Sequence, residues 1–204
     1  DFRFAAGSCA YINEPVYDRP GKPYGGDYEI YGSIAAEKPD LMVWLGDNIY
    51  LREVDWNSRT GIYHRYTHSR SLPELQPLLM ATHHYATWDD HDYGPNDSDR
   101  SYWMKDVALV AFKDFWANPN YGVGDTEGIT GTFFWEDCQF FVMDDRWYRG
   151  PRPNNVYFGQ QQITWLIDAL RFSRASYKFI MTGGQILSDA AVYENYAVFK
   201  DERQ

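Results

Sequence analysis

The stretch Leu41-Met42-Val43-Trp44-Leu45-Gly46-Asp47-Asn48-Ile49-Tyr50 decides how this chain is read. Its first half is apolar on both faces, the pattern of a strand covered on both sides of its sheet. The run begins after Lys38-Pro39-Asp40 and stops at Gly46-Asp47, so a turn carrying a carboxylate sits directly at the strand's end. The same punctuation recurs along the chain. Phe2-Arg3-Phe4-Ala5-Ala6 alternates and runs into Gly7-Ser8-Cys9, while Tyr85-Ala86-Thr87-Trp88 runs into Asp89-Asp90-His91-Asp92. Gln139-Phe140-Phe141-Val142-Met143 ends on Asp144-Asp145-Arg146, and Thr132-Phe133-Phe134-Trp135 precedes it across Glu136-Asp137, which predicts a hairpin. A further strand, Phe179-Ile180-Met181-Thr182, ends at Gly183-Gly184.

Helical patterns lie between these runs, over 27–37, 72–80, 101–116 and 159–172, the last with Trp165, Leu166, Ala169 and Leu170 on one face. Polar, Gly-containing segments at 94–100 and 118–131 read as loops. Strands alternating with helices predict a layered α/β fold. With no repeat, linker or shift in composition, the 204 residues are expected to form a single domain over 1–204.

Composition narrows the class of protein. Nineteen Lys+Arg against 29 Asp+Glu leave a net charge of −10, and no block of Lys or Arg offsets it, which speaks against a nucleic-acid reader. Aromatics reach 18%, far too many for a disordered chain. The apolar runs are strand-sized, well short of the ~20 residues of a membrane-spanning helix. Asp1-Phe2-Arg3-Phe4 is not a signal peptide. Cys9 and Cys138 are too few for a disulfide framework, and a single bridge between them stays open.

In layered α/β proteins, ligands bind at the carboxyl ends of strands. If the strands share a sheet and a direction, the polar clusters converge on one edge. Asp47, Asp89, Asp90, Asp92, Asp144 and Asp145 would then meet the Cys9 thiol, the Tyr50 phenol and the His91 imidazole. So much like charge is costly unless cations neutralise it, so the pattern points to a multi-metal site. Each cluster taken alone has a plainer reading. Asp47 suits a turn, Cys9 a small buried hydrophobe, Tyr50 a core or rim position, the Asp89–Asp92 run a solvated loop, and Arg146 an ion pair with Asp144. His64 and His68 are spaced i, i+4 but lie among Arg65 and Arg70, as on an exposed polar face, and His83-His84 read as structural. The aromatic load offers a rival function. Trp147-Tyr148 and Tyr102-Trp103 could stack on sugars in a non-catalytic carbohydrate-binding module.

Taken together, Gly7-Ser8-Cys9, Pro39-Asp40 with Gly46-Asp47-Asn48-Ile49-Tyr50, and Thr87-Trp88-Asp89-Asp90-His91-Asp92 with Asn96 resemble the alkaline phosphatase D (PhoD-like) metallophosphatases of the calcineurin-like superfamily. Asp144-Asp145-Arg146-Trp147-Tyr148-Arg149 resembles that family's Asp-Thr-Arg-x-Tyr-Arg strand end. Gly159-Gln160-Gln161-Gln162 with Trp165-Leu166 is similar to its Gly-x-x-Gln-x-x-Trp-Leu helix start. The resemblance implies a four-layer α/β/β/α metallophosphatase sandwich. It also implies hydrolysis of small phosphate esters, of alkaline phosphatase or phosphodiesterase type, by a metal-activated water or hydroxide.

The resemblance further implies Fe3+ and Ca2+ as cofactors. Cys9, Asp47 and Tyr50 would hold iron, with Asp47 bridging toward calcium, and Asp90 and Asn96 would ligate calcium or position the phosphate. His91 would face the phosphate and Arg146 would clamp it, so His91, Arg146 and Asp90 are the expected catalytic residues. Thiolate and phenolate suit a highly charged ion, carboxylate and amide oxygens suit calcium, and an Arg fork suits phosphate. A di-zinc or di-manganese phosphoesterase, with Zn2+ or Mn2+, is the nearer alternative. The family's closing Gly-Asp-x-His segment has no counterpart before Asp201-Glu202-Arg203-Gln204, so a C-terminal part of the sandwich is expected to lie outside this chain. Calcium loading suggests a periplasmic or secreted protein.

Overall fold

The structure, a computed structural model, describes residues 1–204 except 19, 22, 23, 25 and 152–155. Strands β1 (Phe4–Gly7), β2 (Leu41–Leu45) and β3 (His83–Thr87) form one parallel sheet in that order, with Gly7 opposite Trp44 and Leu45 opposite Thr87. Strands β4 (Gly131–Trp135), β5 (Cys138–Val142) and β6 (Tyr177–Met181) form a second sheet. There β4–β5 is the expected antiparallel hairpin and β5–β6 is parallel.

The two sheets pack face to face through aromatics. Phe4 of β1 meets Phe140 and Phe179 of the second sheet at ring-centroid distances of 5.6 and 5.2 Å, and Tyr85 of β3 stacks on Phe133 at 3.9 Å. The outer faces carry helices. Trp44 packs at 6.4 Å on Tyr31 of α1 (Glu29–Ala36) and at 5.6 Å on Trp116, just past α5 (Lys105–Phe115). On the far side, Phe141 of β5 meets Trp165 of α6 (Gln160–Phe172) at 6.1 Å. The layers therefore run α/β/β/α. Successive side chains on β2 and β5 point into different layers that are both dry, which is why both strands read as apolar throughout.

Two helices before α5 escaped the sequence patterns, as did the last turn of the chain. The first, α2 (Arg59–Arg70), is capped by Ser58, whose side chain accepts the Gly61 N–H at 3.1 Å. Its inner face mixes Ile62 and Tyr66 with buried Arg65 and Ser69, so no apolar stripe marks it. His64 and His68 sit on this helix; His64 pairs with Glu14 at 3.0 Å and His68 reaches the Asn13 carbonyl. After α3 (Gln76–Ala81) and β3, the single turn α4 (Asp90–Tyr93) is the second. His84 is structural, taking the Trp44 indole N–H on Nδ1 at 3.0 Å. A last turn, α7 (Lys200–Arg203), follows the second sheet. Both cysteines are free, Cys9 exposed and Cys138 buried. Among the described residues, no helix is long and apolar enough to cross a membrane.

The Gly159…Gln162 motif has a physical account. Gly159 adopts φ +82, and a Cβ there would lie 3.2 Å from that of Tyr148. Gln162 is buried and hydrogen-bonded at every position: Nε2 donates to the carbonyls of Asp144 (2.8 Å) and Phe158 (2.9 Å), while Oε1 accepts the Asp144 N–H and the Thr130 hydroxyl. It therefore fixes the strand end from which Arg146 departs. Gln162→Leu orphans these buried groups and is expected to cost about 2–4 kcal/mol in urea unfolding. A loss below about 1 kcal/mol would show that the network relaxes.

Candidate metal and phosphate site

The strand-end loops are tied together by their backbones before any side chain acts. Cys9 N–H donates to the Gly46 carbonyl (3.2 Å) and Ala10 N–H to that of Asp47 (2.8 Å), so the β1 and β2 loops run side by side. Cys9 and Asp47 both sit in the left-handed region, at φ 59 and 51. Gly46 is required there: at φ +86 it would place a Cβ 2.7 Å from the Asp89 Cβ and 3.1 Å from the Gly183 Cα. The β2, β3 and β6 ends therefore touch through backbone.

The second sheet joins the same edge. The Thr87 hydroxyl donates to the Met143 carbonyl at 2.8 Å and the Trp88 indole N–H to Asp144 Oδ1 at 2.7 Å. The clusters thus converge although β5 does not share a sheet with β1–β3, a condition the sequence reading had assumed. Asp144 itself turns away from the site and accepts the backbone N–H groups of Ile129, Arg146 and Trp147.

Asp92 is likewise a brace. Its Oδ1 accepts Asn48 N–H (3.0 Å) and Ile49 N–H (3.3 Å), and its Oδ2 accepts Asp89 N–H (3.0 Å). One fully buried carboxylate thereby locks the loop carrying Asp47 and Tyr50 to the turn carrying Asp90 and His91.

The remaining side chains form a compact cluster. Cys9 Sγ lies 3.8 Å from Asp47 Oδ2, and both groups act on the neighbouring Tyr50 phenol. The Tyr50 ring packs on His91 at 4.5 Å, and the His91 N–H donates to Asp90 Oδ1 (3.0 Å) and Asp47 Oδ1 (3.4 Å). Ligand atoms of Asp47, Asp90 and His91 lie within 4.8 Å of one another, as do those of Asp89, Asp90 and Glu194. Arg146 is fully buried and pairs with Asp89 and Glu194, with Asp145 at 3.8 Å and Asp90 at 3.9 Å. Its partners are these carboxylates rather than Asp144.

Asn96 is exposed on the loop after α4, where the N–H of its neighbour Asp97 meets Asp90 Oδ2 at 2.7 Å.

The electrostatics say what the cluster lacks. Burial and the facing charges of Asp90 and Asp89 push the Asp47 carboxyl up to about 7, against the lowering effect of Tyr50 and the His91 N–H. Burial and the Asp47 charge raise Tyr50. Burial, with Asp90 and Glu194, raises Asp89 despite Arg146. Negative charge in the cleft exceeds what one arginine offsets. A thiol, a phenol, carboxylates and an imidazole within reach of each other are a donor set for cations, so the residues fit a metal site.

Sequence reasoning missed Glu194, 48 residues from Arg146 in a loop without a motif, and left Asp89 and Asp145 unassigned inside motifs it had quoted. No local signal marks Glu194, whereas Asp89 was legible as part of its acidic run. Of the aromatics offered as a sugar platform, Tyr102 and Trp147 are buried, with Lys105 Nζ 4.0 Å over the Trp147 ring, while Tyr148 is half-buried and Trp103 exposed.

Carboxylates, a thiol and a phenol thus gather at the strand ends of a four-layer α/β/β/α fold, an architecture that fits a phosphatase. The chain matches the PhoD-like phosphatase sequence profile over residues 4–192 and belongs to that family. A solved structure described as "Structure of PhoD" is similar to it, with a TM-score of 0.69 and 22% sequence identity over 91% of this chain. The chain spans 42% of that structure's length. No curated protein matches.

Proposed function

We propose that this chain forms the catalytic core of a metal-dependent phosphoric ester hydrolase. The observation that carries the reading is the meeting of Asp47, Asp90 and His91, from two strand ends, beside a buried arginine. Cys9, Asp47 and Tyr50 would hold one cation, Fe3+ as the family resemblance implies, and Asp90 with Asn96 would ligate a second, Ca2+, or position the phosphate. Zn2+, which also takes a thiolate, or Mn2+ is the alternative, and elemental analysis of the metal-loaded protein separates them. Bound cations supply charge neutralisation at the phosphoryl oxygens and an activated nucleophile at neutral pH.

The protein's own residues do the rest. Arg146 offers a fork that orients a phosphate group. His91, held by its packing on Tyr50, hydrogen-bonds a phosphate oxygen. Asp90 anchors the loop at Asp97 and holds His91 through its backbone N–H. Asp92 keeps the two loops in register. A small-molecule phosphate ester is the expected substrate, and a calcium-dependent site supports a periplasmic or secreted setting.

Turnover of p-nitrophenyl phosphate in His91→Ala tests the reading. A loss of about 100-fold with unchanged unfolding is expected, since the imidazole acts on the reacting group and not on the core. Unchanged turnover would sink the assignment. The metal identity has its own test. Iron-loaded protein should carry a visible phenolate-to-iron charge-transfer band that Tyr50→Phe abolishes; a band that survives the substitution removes Tyr50 from the site.

A further inference from the structure

Every donor of the Arg146 guanidinium is already in use. Nε donates to Asp89 Oδ1 at 2.7 Å, Nη1 to the Ser98 carbonyl (3.2 Å) and Glu194 Oε2 (3.0 Å), and Nη2 to Glu194 Oε1 (2.9 Å) and to Asp89. Glu194 thus takes both terminal nitrogens, one oxygen to each, which is the two-point arrangement in which an arginine fork receives a phosphate. A carboxylate and a phosphate cannot occupy that fork together.

We propose that Glu194 occupies the phosphate seat on Arg146 and leaves it when a phosphate group binds, so that this one side chain sets the affinity of the site for phosphate esters. The inference rests on the assignment of Arg146 as the phosphate clamp.

Glu194 is the partner free to go. Asp89 is fixed between Gly46 and Gly183 and hydrogen-bonded within its own turn, where its side chain takes the Asp90 N–H at 2.9 Å. Ser98 contributes a main-chain oxygen. Glu194 instead rides on the segment after β6, which is closed at its base by Tyr196 N–H on the Gln185 carbonyl (3.0 Å), and whose Leu187 and Tyr193 are 89% and 86% exposed.

A displaced Glu194 also has a cation waiting. Arg149 Nη2 already lies 3.1 Å from its Oε2, and Arg149 Nη1 is buried with no hydrogen-bond partner among the described residues. The Arg149 guanidinium is held over the rings of Tyr157 and Phe199 at 4.8 and 4.9 Å. The carboxylate can therefore pass from Arg146 to Arg149 without losing its counter-charge, while the arriving phosphate takes its place on Arg146.

The test is the affinity of the metal-loaded protein for inorganic phosphate, measured by calorimetry in wild type, Glu194→Gln and Glu194→Asp. Gln removes the charge; Asp keeps it but is one methylene too short to span both terminal nitrogens. Both variants are expected to bind phosphate roughly tenfold or more tightly than wild type. Equal affinity in all three proteins overturns the displacement while leaving the phosphate site in place. Tightening in Glu194→Gln alone also overturns it, because general charge and not the seat would then govern binding. Phosphate binding to none of the three overturns the phosphate-site reading itself, and the displacement with it.

Discussion

Asp47→Asn is expected to keep the fold and lose the chemistry. Position 47 sits at φ 51, a conformation asparagine tolerates well, and the side chain is nearly isosteric, so the loop should hold its course. What disappears is the carboxylate at the centre of the cluster, shared between the Cys9–Tyr50 side and the Asp90–His91 side. Turnover of a phosphate ester should fall by more than about 100-fold, with weakened retention of metal.

Stability should move the other way in metal-free protein. Asp47 is pushed up to about 7 from an ordinary 3.8, so the folded state holds its proton more tightly than the unfolded chain does. Metal-free wild type therefore loses stability as pH rises from about 4 through about 7, and Asp47→Asn lacks that loss. At neutral pH the metal-free variant should be the more stable, by up to about 4 kcal/mol. Unfolding by urea at pH 5 and pH 8, with and without metal, measures the difference. A variant less stable than wild type under metal-free conditions at pH 8 would show that Asp47 is structural rather than a carboxylate held ready for cations.

The second large effect lies outside the cleft. Arg65→Ala is expected to cost about 3–5 kcal/mol. Arg65 is fully buried, with Nε on Asp55 Oδ2 at 2.9 Å and Nη1 on Glu14 Oε2 at 2.5 Å. Its removal leaves the buried Asp55 carboxylate without a counter-charge and Glu14 with His64 alone, in a chain whose total stability is on the order of 5–15 kcal/mol. The Glu14 contact ties α2 to the loop after Cys9, so the variant should also loosen the thiol side of the site. Urea unfolding reads the first effect directly, and a cost below about 1 kcal/mol would show that water replaces the arginine.

The two residues also show what a sequence can and cannot disclose. The strand ends were legible because burial on both faces writes unbroken apolar runs, as in Leu41-Met42-Val43-Trp44-Leu45, and a glycine and a carboxylate then stop them abruptly. From that punctuation the layered fold and the meeting of Cys9, Asp47, Tyr50, Asp90, His91 and Arg146 could be anticipated. Helix α2 could not, because its inner face is held by Arg65 and not by a hydrophobic stripe. Nor could the division of labour among neighbouring acids. Asp89, Asp90 and Asp92 look alike in a string, yet Asp92 braces backbone amides, Asp90 faces the cleft and Asp89 pairs with Arg146. Glu194 reaches the site only through tertiary structure. Asn96, expected as a ligand from the family's pattern, is exposed on its loop.

Hydrolysis of p-nitrophenyl phosphate before chelation, after removal of metal verified by elemental analysis, and after return of ferric iron with calcium tests the metal-dependent site most directly. The predicted result is loss of turnover on stripping and its recovery when the cations are restored. Turnover that persists in protein shown to be metal-free would contradict it.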